Sequence, residues 1–264
     1  MKPSRPALVA ASAALALTVS LTGCADKGSS SNSSETTATA AASAGASDID
    51  APALLKETSE AAKNLTSTHF TVAVTGKVPN LPISKVDGDL QIKPATQAHG
   101  TALVQPGNAE GKFTYIDGKM YAALFGDKYV DYGDGTSIYD VSALFDQSKG
   151  IPNILTKITG AQAVGTETID GQETTKITGT VPATEIATIS GSRVDPQKSV
   201  PVPTTVWVQK SGEKQLVRIE VKPITDGAIT LTFSRFGEKV AVTKPNVTPI
   251  ETTDKPEAGE ALPR

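Results

Sequence analysis

The chain has 264 residues, 38% of them hydrophobic and 20% charged, with a net charge of −3. Acids and bases are interspersed and no basic footprint stands out, which argues against nucleic acid as a partner. Its one cysteine, Cys24, leaves no disulfide and no thiolate metal cluster to brace a fold, so stability has to come from burial and backbone pairing.

The N-terminus begins with a short positive region, Lys2 and Arg5. Ala7 to Leu21 follow as an uncharged, Ala-rich stretch, shorter than the roughly 20 residues that a membrane-spanning helix needs. The stretch ends in Leu21-Thr22-Gly23-Cys24. This pattern predicts a secretory signal peptide over residues 1–23. Leu-Thr-Gly-Cys resembles the bacterial lipobox, which implies a diacylglyceryl group on the Cys24 thiol before cleavage. A thiol suits that reaction because its thiolate is a strong nucleophile. Several acyl chains, at about 0.8 kcal/mol per buried methylene, anchor a protein firmly. The expectation is a lipid-anchored protein on the extracytoplasmic face of the cell membrane. Residues 24–47 are mostly Ser, Thr, Ala, Gly and Asn and read as a disordered tether, because they cannot bury enough apolar surface to offset their ordering entropy. Residues 246–264, rich in Pro, Thr and Glu, read as a disordered tail, which leaves 48–245 for one domain.

That domain opens with a helix. Asp50 is a suitable N-cap, Pro52 suits the first turn, and Leu54, Leu55, Ala61, Ala62 and Leu65 fall near one stripe. Thr68 to Thr75 alternates as a strand, with Phe70, Val72 and Val74 on one face. Val86 to Ile92 and Gln97 to Val104 follow. Lys112 to Ile116 and Met120 to Phe125 flank Asp117-Gly118, a hairpin signal. Lys128 to Tyr132 adds a short strand. Ala161 to Ile169 and Glu173 to Gly179 flank Asp170-Gly171, the same signal again. Thr204 to Gln209, Gln215 to Val221 and Ala228 to Phe236 bring the count to about eleven strands, joined mostly by the tight turns that make antiparallel neighbours. Tyr139 to Phe145, Ile151 to Ile158 and Ala183 to Ser190 carry helical spacing. The fold class expected is α+β, a curved antiparallel sheet with helices packed on one face.

Little in the sequence points to chemistry. His69 and His99 lie in predicted strands without metal-ligand spacing and read as structural. No Gly-x-Ser-x-Gly elbow occurs. Asp131, Asp134 and Gly135 lack the closing Glu of a calcium loop and read as a turn. No catalytic residue, cofactor or metal is expected.

A family resemblance rests on the order of several segments. After Cys24 and the polar tether come Glu60-Ala61-Ala62-Lys63-Asn64-Leu65, Thr68-His69-Phe70-Thr71-Val72, Gly76-Lys77-Val78-Pro79-Asn80-Leu81-Pro82 and Asp87-Gly88-Asp89-Leu90. Tyr115-Ile116-Asp117-Gly118-Lys119-Met120-Tyr121, Lys176-Ile177-Thr178-Gly179, Pro201 to Val208 and Phe236-Gly237-Glu238-Lys239-Val240 complete the set. From Cys24 to about Pro245 the chain resembles the LppX/LprA/LprF/LprG lipoproteins of mycobacteria and related actinobacteria, nearest the LprG/LprF side. The resemblance implies a half-barrel with helices over its concave face, enclosing an apolar cavity for acyl chains. It also implies a di- or triacylated envelope lipid or glycolipid as ligand, carriage between plasma membrane and outer envelope, and a membrane exporter as partner.

The residues expected to line that cavity are Phe70, Val72 and Val74 on the first strand and Ile154, Leu155 and Ile158 on the helix. Leu90, Ile92, Met120, Ala122, Leu124, Leu144, Phe145, Ile186 and Ile189 extend the set. Their spacing marks only a buried face; the cavity itself is implied by the resemblance. Two other classes stay open: a structural or receptor-like envelope module with a filled core, and an enzyme acting on envelope lipids.

Overall fold

A computed structural model describes residues 48–78, 81–124, 126–137, 139–190 and 200–247. The expected signal peptide, Cys24, the tether and most of the expected tail lie outside these residues.

Helix α1, Ala51–Asn64, starts where its cap predicts: the Asp50 carboxylate accepts from the Ala53 amide at 3.0 Å, and Pro52 sits in the first turn. Leu55 and Ala62 are buried, as the apolar stripe requires, but so are Thr58 and Ser59. Both hydroxyls are satisfied there. Thr58 donates to the Leu54 carbonyl at 2.8 Å, and Ser59 donates to the Pro152 carbonyl at 2.6 Å, which ties α1 to the next helix.

Eleven strands follow: β1 Ser67–Gly76, β2 Ile83–Gln91, β3 Gln97–Val104, β4 Ala109–Ile116, β5 Lys119–Ala123, β6 Val130–Asp134, β7 Thr159–Ile169, β8 Gln172–Pro182, β9 Pro201–Gln209, β10 Leu216–Ile224 and β11 Gly227–Ser234. They form one antiparallel sheet in the order β6-β5-β4-β3-β2-β1-β11-β10-β9-β8-β7. The sheet is two meanders joined by the β1–β11 pair, and it stays open, with β6 and β7 at its edges.

This topology explains the helices. To pass from β6 at one edge to β7 at the other, the chain has to cross a face of the sheet. The crossing segment contains a 3-10 helix, Val141–Phe145, and α2, Ile151–Thr156, and it buries Val141, Leu144, Phe145, Ile151, Ile154 and Leu155. These residues share one hydrophobic cluster with inward residues of both meanders and with α1. The sequence predicts a helix from Tyr139 onward, but Asp140 caps at Ser142 and the turn winds tightly for only five residues. Helix α3, Ala183–Ser190, leaves between β8 and β9 and adds Ile186 to the cluster.

Alternation and register define the inner face. One continuous row runs Ala163, Ile177, Val206, Ile219, Leu231, Val72, Val86, Ala102. The adjoining row contains Phe70, Gly88, Gly100 and Phe113. A Cβ on Gly88 or Gly100 would overlap the carbonyl oxygen of His99 or Asp87, so β2 and β3 approach here as only glycine permits. Register shifts in five strand pairs add further bends. The result is an open half-barrel, as the family resemblance implies.

The outer face carries two polar clusters. His69 and His99 read as unpartnered in the sequence, yet both meet Asp89. His69 Nδ1 lies 2.8 Å from one carboxylate oxygen and His99 Nε2 lies 3.8 Å from the other. Arg235 joins them, donating to Asp89 at 2.5 Å, so the group staples β11, β1, β2 and β3. Trp207, buried on the same face with Ile169 and Val217, donates its indole N–H to Glu167 at 2.8 Å. Lys176 and Arg218 stand over its ring at 5.1 and 5.7 Å.

After β11 the chain crosses the outer face as a strap. The Gly237 amide donates to the Ser67 carbonyl at 2.9 Å, Lys244 stands 5.6 Å from the Tyr121 ring, and Val247 pairs in parallel with Tyr129 beside β6. Tyr121 points outward in the register but is 1% exposed, because the strap lies over it. Ordered chain therefore continues past Pro245.

Candidate functional site: an apolar pocket

Between the inner face of β1–β6 and β10–β11 and the helical crossing lies a pocket of about 330 Å³. Phe70 and Val72 of β1, Val86 of β2, Ala102 of β3 and Phe113 of β4 form its wall, with Val221, Ile229 and Leu231 beside them. Met120, Ala122 and Leu124 continue the wall along β5, and Val141, Leu144 and Ile186 form the helical roof. Among the described residues no charged side chain lines it, and the polar side chains in the lining are Tyr132 and Tyr139. Burial, and after it the charge of Asp140, pushes the Tyr139 phenol well above its ordinary pKa. Such a shift marks a poorly solvated interior. The arrangement offers hydrocarbon an apolar surface.

Of the expected lining residues, the structure brings Phe70, Val72, Met120, Ala122, Leu124, Leu144 and Ile186 together around the pocket. Leu90, Phe145, Ile154 and Leu155 are instead packed into the solid part of the core. Phe145 meets Phe233 edge-on with ring centres 5.6 Å apart, and Ile154 is 0% exposed beneath α1. Val74, Ile92 and Ile158 are half-buried and stand clear of the pocket. Val74 pairs with the lining residue Ile229 without lining the pocket itself; Ile92 lies past the end of β2, and Ile158 past the end of α2. Ile189 lies on α3, but its side chain is outside the described residues, as is Cys24.

Leu81, Ile83, Val86, Ala102, Phe113, Tyr132, Tyr139, Val141, Val221, Ile229 and Leu231 line the pocket without having been singled out from the sequence. Cross-strand register is the signal that finds several of them: Val86 and Leu231 both pair with Val72. A second hollow, about 560 Å³, lies between α1 and the β9–β10 turn. It is larger, but Glu57, Glu60 and Glu213 line it, so it offers acyl chains no comparable surface.

Residues 50–242 match the model of the LppX_LprAFG lipoprotein family. The chain belongs to this family. It is 42% identical over 246 residues to the putative lipoprotein LprA of Mycobacterium bovis, covering 92% of this chain and 98% of that one. It is 35% identical to the lipoarabinomannan carrier protein LprG of Mycobacterium leprae, over 75% of this chain and 83% of that one. The crystal structure of LprF from Mycobacterium bovis superposes with a TM-score of 0.67 at 27% identity, covering 76% of this chain and 99% of that one. Among these family members the sequence likeness to LprA is higher and longer than the likeness to LprG.

Proposed function

We propose that this family member is a lipid-anchored carrier that takes acyl chains of a cell-envelope lipid or glycolipid into the apolar pocket. It carries them between the plasma membrane and the outer envelope. The observation behind the reading is a pocket lined by hydrocarbon, in a family of which one member is named a lipoarabinomannan carrier. The chemistry supplies a reason for a carrier. Each methylene exposed to water costs roughly 0.8 kcal/mol, so a multi-acyl lipid does not cross an aqueous gap unaided. A lining with two hydroxyls and no charge suits acyl chains and leaves a sugar head group outside. The volume is near the lower end of the roughly 300–1,000 Å³ range of ligand pockets, enough for chains but not for a whole glycolipid. Cys24, at the end of a lipobox-like Leu-Thr-Gly-Cys, is the proposed anchor. Among the described residues no helix is long and apolar enough to cross a membrane.

Mass spectrometry of organic extracts from the purified Cys24→Ala chain lacking residues 1–23 tests the reading. A bound acylated lipid in near-stoichiometric amount is the expected result. A protein that yields none after expression in a lipid-rich actinobacterial host is a structural module with a filled core.

A further inference from the structure

Among the described residues five large apolar side chains are exposed: Leu124, Tyr132, Val164, Val200 and Val247. Val164 lies on β7, Val200 precedes β9 and Val247 ends the strap, and scattered single residues of this kind are ordinary on a protein surface. Leu124 and Tyr132 differ from them, because both are also lining residues of the pocket. They mark the place where its apolar surface reaches solvent. Exposure falls inward from there: Leu124 is 38% and Tyr132 44% exposed, Leu81 and Ile83 are half-buried, and Phe70 and Leu144 are buried. The pocket's apolar lining therefore includes residues that range from exposed to buried.

We infer that the Leu124–Tyr132 rim is a membrane-docking edge, seated on the bilayer that holds the Cys24 lipid, through which an acyl chain slides between bilayer and pocket. The inference rests on the acyl-carrier reading and specifies where that carrier meets its lipid. Three features point to a bilayer as the occupant. An exposed leucine just after β5 and an exposed tyrosine on the edge strand β6 match the two depths of a membrane interface, with Leu in the acyl region and the amphipathic Tyr ring at head-group level. The rim presents two exposed apolar side chains among the described residues, whereas a stable protein interface takes about 20–30 residues on each partner. Finally, the chain from Cys24 to Asp50 spans at most about 3.5 Å per residue, so the anchored domain stays within roughly 90 Å of the bilayer surface. Lys77, Lys85 and Lys128, which lie on or beside strand ends at this end of the sheet, are exposed cations suited to anionic head groups.

The test uses added tryptophan as a depth reporter. Trp207 is the chain's one tryptophan, and it is buried and hydrogen-bonded to Glu167 on the outer face, so it supplies a constant background. Leu124→Trp, Tyr132→Trp and Val164→Trp would each be made in the Cys24→Ala chain lacking residues 1–23. Among the described residues the core cluster lies wholly beyond residue 50. Vesicles of phosphatidylglycerol and phosphatidylcholine with brominated chains are then added. The expected result is loss of most of the added emission at positions 124 and 132 and no loss at 164.

No quenching at the rim, or equal quenching at 164, overturns the inference. Quenching at the rim that survives removal of the vesicles is brominated lipid taken up into the pocket, which the sliding step also predicts, and supports the inference. Rim emission that shifts with protein concentration in the absence of vesicles makes the occupant a second copy and overturns it too. If extracts contain no lipid while the rim is still quenched reversibly, docking stands and the carrier reading fails.

Discussion

At the scale of single residues, the outer face shows how polar side chains steady a strongly bent sheet. Glu167 accepts from Trp207 and lies beside Lys176 and Arg218, and these contacts, the indole hydrogen bond first, hold its carboxyl below the ordinary value of 4.5 against a smaller opposing effect of burial. Because the folded pKa is depressed, this contact stabilises the fold above the unfolded-state value and is lost as pH falls through the lower folded value. Trp207 emission should therefore titrate below pH 4.5, and Glu167→Gln should abolish that transition; an unchanged titration in the variant would contradict the contact. The sequence shows Trp207 in mid-strand between two valines, which says that it faces away from them. It does not show the partners, since Glu167, Lys176 and Arg218 come from three other strands and meet Trp207 only once the register is set. Asp89 with its two histidines was hidden for the same reason.

At the scale of elements, local patterns carried most of the fold. Period-2 alternation and the two Asp-Gly turns located the strands to within a few residues, and the positive φ of Asp117, Gly118, Asp170 and Gly171 is what those turns require. The strap was not legible. The sequence places residues 238–245 in the domain, but Val240, Ala241 and Val242 stand among charged and polar residues and form no strand of their own, so no local pattern assigns them a position. Their order comes from what lies beneath them, chiefly Tyr121. Ending the chain at Gly237 should expose Tyr121 and release β6, lowering stability by about 2 kcal/mol, the scale for one large side chain returned to water. Thermal unfolding measures the loss, and hydrogen exchange should rise in β5 and β6. Equal exchange in both chains would show that the strap does not hold this edge.

At the largest scale, the described residues form an open half-barrel whose helical crossing leaves part of the hollow unfilled. The sequence marks which face of each element is buried but not whether the space opposite is filled. Leu90 and Ile154 meet dense packing, whereas Met120 and Ala122, on equally apolar stretches, face a gap. That difference depends on side-chain volumes summed across several strands and the crossing, which no local period encodes. Anchoring is a separate matter at this scale. With the proposed lipid on Cys24 as the link to the membrane, full-length Cys24→Ala should leave the membrane fraction with its unfolding temperature unchanged; retention after a high-salt wash would contradict that link. The central claim, that the gap is an acyl-chain site, is tested most directly by titrating a fluorescent fatty acid into the non-acylated chain and into its Val72→Trp variant. Val72 lines the pocket midway along the inner row. The account predicts saturable binding to the parent chain, at least about tenfold weaker binding to the variant, and an unchanged unfolding temperature, because the new ring occupies the acyl chain's space. Equal binding by both proteins, together with a loss of about 1–3 kcal/mol of stability in the variant from overpacking, would show a filled core and contradict it.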